Sequence, residues 1–155
     1  MRLAPVLSAA LTLLAQSPAE TTVATTLDDW HLAAAQADEH RYFGHLGEGA
    51  VFLGTDGTER WAKPAFRAWA HPIFLRGSAW HFKATRRAIS LSGDGQTAWF
   101  DEDLATENMG PCRGSGVLTL VQGRWLIQQY NLSVPIPNDL LKSVTGQIEA
   151  QGKKP

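Results

Sequence analysis

The spacing of apolar positions changes character along the chain. After Met1 and Arg2, Leu3 to Ala15 is an apolar run interrupted by Pro5, Ser8 and Thr12. That run is too short to cross a bilayer, and Gln16-Ser17-Pro18-Ala19 follows it with small residues in the pattern a signal peptidase reads. The expectation is a signal peptide over residues 1–19, cleaved near Ala19, and an exported mature chain, periplasmic or secreted. A buried first helix is the alternative. No cysteine follows the run, so no lipid anchor is expected there. Residues 20–26 then read as a polar, Thr-rich start. From Leu27 to about Arg41, Leu27, Trp30, Ala34 and Ala37 recur at helical spacing, with Asp28 and Asp29 at the positive N-terminal end. Ala50 to Gly54 is a short strand closed by the Asp56-Gly57 turn. Lys63-Pro64 opens a second helix, whose buried face is expected to hold Phe66, Trp69, Ala70 and Ile73, and which Pro72 should kink or end.

From Trp80 the period falls to two. Trp80 to Thr85 alternates, and Thr97 to Ala105, Arg113 to Val121 and Arg124 to Leu132 follow as strands joined by Ser92-Gly93-Asp94-Gly95, the Gly110-Pro111 loop and Gln122-Gly123. Pro135 and Pro137 stop the last strand, and residues 142–155 read as a polar tail. Helices early and long antiparallel strands late indicate an α+β domain over residues 27–141, with helices covering one face of a curved antiparallel sheet.

Composition narrows the partners. The 155 residues, 44% hydrophobic and 19% charged, suit one core and one domain. Fourteen basic against fifteen acidic residues leave a net charge of −1, which speaks against nucleic acid. The lone Cys112 cannot close an intrachain disulfide, and no Cys/His cluster has zinc spacing. No later run has the length needed to cross a membrane, so no membrane contact is expected after signal removal.

The order helix, short strand Ala50-Val51-Phe52-Leu53-Gly54-Thr55-Asp56, Trp61, helix, then Ala98-Trp99-Phe100, Arg113-Gly114-Ser115-Gly116-Val117-Leu118 and Gly123-Arg124-Trp125-Leu126-Ile127-Gln128-Gln129-Tyr130-Asn131-Leu132-Ser133 resembles the SnoaL-like branch of the nuclear transport factor 2 (NTF2-like) superfamily, over roughly Leu27 to Leu141. The resemblance implies a cone-shaped α+β barrel whose bent sheet wraps a pocket, and often a homodimer through the outer sheet face. It implies no cofactor. The superfamily hosts isomerases, dehydratases, polyketide cyclases, binders and catalytically silent adaptors, so fold alone does not choose among them. The places where steroid isomerase-like relatives keep their two acids fall near Gly54 and Val117, which move no proton.

On the strand Thr97 to Ala105 one face holds Ala98, Phe100, Glu102 and Leu104, so Glu102 is expected to point into the cone. A hairpin symmetric about Glu107 and Asn108 puts Arg113 opposite Glu102, and the two are expected to pair, holding an anionic or carbonyl ligand or orienting Glu102 as a base of raised pKa. The bland alternative is a sheet salt bridge. Tyr130 offers a phenol to a ligand if Leu126, Gln128 and Tyr130 face inward rather than Trp125, Ile127 and Gln129. Six tryptophans either fill the core or line a cavity; Trp61, in a loop between strand and helix, is the most pocket-like, and Trp30 and Phe100 complete the candidate wall. His31 and Asp38 share a helical face, but His40 does not join them, so no metal site is expected. His81 reads as solvent or dimer surface. These residues suggest an exported domain binding a small hydrophobic or carbonyl-containing molecule, with isomerisation, dehydration or cyclisation by proton transfer at Glu102 and Arg113 if it is an enzyme. The competing reading is a noncatalytic homodimeric adaptor with a vestigial pocket.

Overall fold

The computed structural model describes residues 16–152. The apolar run Leu3 to Ala15, on which the export reading rests, lies outside the described residues. The first helix, α1, spans Pro18–Ala35, so it takes in the polar, Thr-rich stretch 20–26 expected to precede the first helix. Its N-terminus is held by a reciprocal capping box: the Glu20 amide donates to Ser17 Oγ at 3.2 Å, and the Ser17 amide donates to Glu20 Oε2 at 2.6 Å. Thr21, Thr22, Thr25 and Thr26 are accommodated because each hydroxyl donates to the carbonyl four residues back, at 2.9–3.1 Å. Val23, Leu27, Trp30 and Ala34 form the buried stripe. The helix does not run on to Arg41. It ends at Ala35, Ala37 takes a φ of +54°, and Asp38 accepts from the Arg41 amide at 3.0 Å to cap the short helix α2, Glu39–Gly44.

Strand β1 is Leu46–Leu53, longer than expected, and pairs with a short strand β2, Arg60–Ala62. Helix α3, Lys63–Phe74, begins with Pro64 in its first turn and ends two residues beyond Pro72. Its buried face is Phe66, Ala70 and Phe74, spaced by four, while Trp69 stays 46% exposed and Ile73 half-buried. Trp80, His81 and Phe82 precede the third strand rather than belong to it: β3 is Lys83–Leu91. Strands β4 (Thr97–Ala105), β5 (Cys112–Val121) and β6 (Arg124–Ser133) fall within a residue of expectation. In the stretch expected as a tail from residue 142, a helix, α4, spans Leu141–Gly152 and buries none of its residues.

The sheet order is β2-β1-β6-β5-β4-β3. Strands β3 to β6 are consecutive hairpins and pair antiparallel, but β1 runs parallel to β6, so the curved sheet is mixed rather than antiparallel throughout. Short turns force neighbours to be antiparallel; β1 and β6 are joined through the rest of the domain, which imposes no such direction. The sheet is unclosed, with β2 and β3 at its edges. Helix α1 lies against β3 and β6 and α3 against β1 and β2, so the core fills the concave side.

Two irregularities aim the side chains. Between β5 and β6 the ladder runs Val117 with Gln129, then Leu118 with Ile127, leaving Gln128 as an extra residue. That bulge resets the two-residue alternation, so Trp125 and Ile127 below it and Tyr130 and Leu132 above it all face the core. Neither of the two simple alternations considered for this strand holds along its whole length. A second bulge, at Thr85, shifts the pairing of β3 with β4 between Ala84 and Arg86.

Candidate functional site

Glu102 does face the concave side, as the alternation on β4 indicates, and it is fully buried. Its expected partner does not reach it. The register places Gly114 opposite Glu102 and sets Arg113 opposite Asp103, one residue away. A slip of one residue moves a side chain to the other face. Arg113 therefore points outward, half-exposed, with its Nε 3.9 Å from Asp103.

Three other groups surround the carboxylate. Arg87, directly across from Glu102 on β3, donates from Nε to Oε2 at 2.8 Å; its Nη2 lies 2.8 Å from the same oxygen without hydrogen-bonding alignment. Arg87 Nη1 donates to the Ala24 carbonyl at 3.1 Å and to Asp28 at 2.9 Å, which ties β3 to α1. His31 Nε2 lies 2.8 Å from Glu102 Oε1, and the Tyr130 hydroxyl donates to that oxygen at 3.0 Å. Gly114 makes room for this meeting: a Cβ there would collide with the Tyr130 hydroxyl and lie 2.9 Å from Glu102 Oε1.

The electrostatics differ from the expected raised base. Burial alone pushes the Glu102 carboxyl upward, but the hydrogen bond and charge of His31, with those of Arg87, outweigh it and hold the group below its ordinary value. Glu102 is thus an ionised acceptor, and His31 must present an N–H from Nε2 to it. Burial and the neighbouring Glu102 charge push the Tyr130 hydroxyl well above the usual phenol range, so Tyr130 remains a donor.

A cavity of about 210 Å³ opens on the other side of His31 and Tyr130. Trp30, Trp61, Trp69, Trp80, Phe52 and Phe66 supply most of its wall, with Tyr42, Phe82 and Leu132. The rings pack in a stack: Phe52 on Phe66 at 4.1 Å between centroids, Trp61 on Phe66 at 5.7 Å and Trp61 on Trp69 at 4.8 Å. Of the expected wall residues, Trp30, Trp61 and Tyr130 border the cavity. Phe100 does not; it packs behind Tyr130, 6.0 Å away between ring centroids. Glu102 is also set behind the wall and touches the cavity through His31 and Tyr130.

Two polar groups on this apolar wall are unpaired. Trp30 Nε1 and the Tyr42 hydroxyl are buried and make no hydrogen bond among the described residues. Trp80 stands edge-on to the Tyr42 ring at 5.5 Å between centroids, and its indole N–H approaches the Tyr42 hydroxyl only as a weak donor outside normal hydrogen-bond geometry. Burial pushes the Tyr42 hydroxyl well above the usual phenol range, against a smaller lowering by Trp80, so it keeps its proton. Each unpaired buried donor costs about 1–3 kcal/mol, which a ligand acceptor relieves.

Comparison with known proteins agrees with this architecture. The profile of the SnoaL-like domain matches residues 23–137, most of the chain. The chain belongs to the SnoaL-like domain family. An NTF2-like protein of unknown function from Pseudomonas putida KT2440 superposes with a TM-score of 0.65 at 13% identity, covering 80% of this chain and 92% of the other. An NTF2-like protein from Cytophaga hutchinsonii gives 0.63 at 13% identity, covering 77% and 100%. A protein of unknown function with a cystatin-like fold from Nostoc punctiforme gives 0.61 at 12% identity, covering 79% and 95%. At these identities the likeness is one of fold. No curated protein matches the chain significantly.

The SnoaL-like domain is a small-molecule-binding architecture, and here its hollow has its own furnishing. Gly54 borders the cavity, while Val117 lies opposite Trp99 on the outer sheet face, so neither position carries an acid into it. His31 was open to reading as a metal ligand with Asp38 and His40; instead it contacts Glu102, and Asp38 caps α2. Among the described residues no group of three or more metal-binding side chains comes together. His81 is exposed and 2.6 Å from Ser78 Oγ.

His31 and Arg87 are the residues that sequence reasoning missed, and each had a signal. His31 is four residues after Leu27, on the stripe that α1 buries, and a buried imidazole needs a partner. Arg86 and Arg87 are adjacent on a strand and so face opposite sides, opposite an Asp101-Glu102-Asp103 run that also alternates. Arg86 accordingly takes Asp101 and Asp103 outside, and Arg87 takes Glu102 inside.

Proposed function

We propose that this SnoaL-like domain binds a small, flat, largely apolar molecule bearing a carbonyl-type acceptor, and that His31 is the group that exchanges a proton with it. The observation that carries the reading is the pair of unpaired donors, Trp30 Nε1 and Tyr42 Oη, on an otherwise aromatic wall that also holds His31. At about 210 Å³ the cavity is smaller than the range of roughly 300–1,000 Å³ typical of drug-sized ligands, which favours a one- or two-ring molecule. Its oxygen accepts from Trp30 and Tyr42. Glu102 orients the imidazole through Nε2, and when the ring sheds the proton on Nδ1 that nitrogen offers its lone pair. Nδ1 takes a proton from the carbon next to the carbonyl and returns it elsewhere, while the two donors stabilise the enolate oxygen. Isomerisation, dehydration and cyclisation all use that step. This assigns to His31 the role first expected of Glu102 and gives Arg113 none.

Deuterium uptake at the α-carbon of small aryl ketones in D₂O, followed by NMR, tests the chemistry, and tryptophan fluorescence with thermal melting tests the binding. Exchange is expected in the parent chain and lost in His31→Gln. Trp30→Phe with Tyr42→Phe is expected to weaken ketones more than the matching hydrocarbons. Binding without exchange would leave a binder only; absence of both would favour the adaptor reading. We also propose export through residues 1–19 and a homodimer through the outer sheet face, where Trp99 is 49% exposed. Fractionation of cells expressing the full chain checks the first, and light scattering of the purified protein checks the second.

A further inference from the structure

We infer that the occupant of the cavity is an organic cation, a flat amine or quaternary ammonium whose charged nitrogen sits at the mouth beside Glu59. The inference rests on the reading of the cavity as a ligand site and adds the charge of the ligand. Among the described residues no lysine or arginine borders the cavity, and Glu59 is the acidic side chain on its wall. Glu59 is half-buried and forms no ion pair with a described basic side chain. Its carboxylate is held in place, because Oε2 accepts from the Asp56 amide at 3.2 Å and the side chain lies back over Gly54. A Cβ at position 54 would collide with that carboxylate, so the missing side chain gives Glu59 its seat on the wall.

The mouth is at the same end. Trp69, 46% exposed, and Met109, 36% exposed, are wall residues that reach solvent, as does Thr55 beside Gly54. Trp61 is stacked on Trp69 between this rim and Phe66. Aromatic faces carry negative potential, and a cation placed against them with a carboxylate nearby is attracted twice, while an anion is repelled by both. Deeper in, the Glu102 charge is matched by Arg87, and the unpaired Trp30 and Tyr42 groups donate to the neutral polar end of the same ligand. The cavity is therefore polarised lengthwise, with donors at the buried end and an acidic, aromatic rim.

Three probes of one shape test this: 4-acetylphenyl-trimethylammonium, 4-tert-butylacetophenone and 4-acetylbenzoate, titrated by tryptophan fluorescence and calorimetry. The ammonium is expected to bind at least about tenfold more tightly than the tert-butyl ketone, a preference weakened by salt, with the benzoate weakest. In Glu59→Gln the ammonium preference is expected to fall to about twofold or less, and Glu59→Lys is expected to turn it toward the benzoate. A tert-butyl ketone that binds as tightly as the ammonium, or an ammonium preference that persists in Glu59→Gln, overturns the charge assignment while leaving the cavity reading intact. If none of the three binds, the cavity reading itself fails and the inference falls with it.

Discussion

Replacing Arg87 by methionine isolates the interaction that lets a carboxylate sit at the centre of this domain. Glu102 is fully buried and the Arg87 side chain is 9% exposed, so the pair is shielded from water and salt. Methionine keeps much of the apolar stem and removes the charge. The variant leaves Glu102 with His31 and Tyr130 alone, and breaking a buried pair from one side costs about 3–5 kcal/mol because the remaining charge is uncompensated. With a urea m-value of about 2 kcal/mol/M, the unfolding midpoint at pH 7 falls by about 2 M. The pH dependence also weakens. In the parent chain Glu102 has a folded pKa below its unfolded value, so its contribution is present above the unfolded pKa and fades as pH falls through the folded one. Without Arg87 one lowering influence goes while the larger one, the His31 hydrogen bond and charge, stays; the folded pKa moves up, and less stability is lost as pH falls through it. Its deficit relative to the parent is expected to be larger at pH 7 than at pH 4.5. Adding Glu102→Gln removes the charge and is expected to restore most of the loss. Urea titrations of the parent, the single and the double variant at both pH values are the assay. A deficit under about 1 kcal/mol at pH 7, or a double variant no more stable than the single one, would refute the reasoning.

Gly114→Ala places a methyl group where the Tyr130 hydroxyl meets Glu102 and is expected to cost about 1–3 kcal/mol by urea unfolding; Tyr130→Phe, which removes the clashing oxygen, should recover part of that loss in the double variant. Asp29 is held at a pKa of about 2, first by the Arg41 hydrogen bond, with His45 adding to it against the opposing effect of burial. A depressed folded pKa contributes stability above the unfolded value of 3.8 that is lost as pH falls toward 2, so Asp29→Asn should flatten the decline of melting temperature across that window. Ser17→Ala removes one side of the α1 capping box and should cost about 0.5–2 kcal/mol in a chain that begins before Gln16; a chain beginning at Glu20, as cleavage after Ala19 would leave it, should show at least the same loss.

Local rules made much of this architecture legible. Period-two alternation bounded by Gly and Pro turns placed β4, β5 and β6 to within a residue, and the same alternation put Glu102 on the concave face, because strand geometry leaves a side chain two sides to choose from. Helix α3 followed from Lys63-Pro64 and the spacing of Phe66, Trp69, Ala70 and Ile73, of which it buries Phe66 and Ala70. The family resemblance rested on these stretches as well. What met Glu102 was another matter. A bulge adds one residue without a strong compositional mark, yet the bulge at Gln128 turned Tyr130 inward alongside Trp125 and Ile127, and the register of β4 with β5 sent Arg113 out and placed Gly114 opposite Glu102. His31 comes from a helix far from Glu102 in the chain and Arg87 from the other strand of the β3–β4 hairpin, where the bulge at Thr85 sets the register, and α1, α3 and β6 jointly enclose the cavity. The spacing of residues along the chain therefore determined α3, the strands β4 to β6 and the face on which a carboxylate would lie, but not α2, β2 or α4. Which cation and which imidazole meet that carboxylate was decided by hairpin register and by the docking of a distant helix, because register and bulge position are settled by the whole sheet packing at once rather than by any one strand.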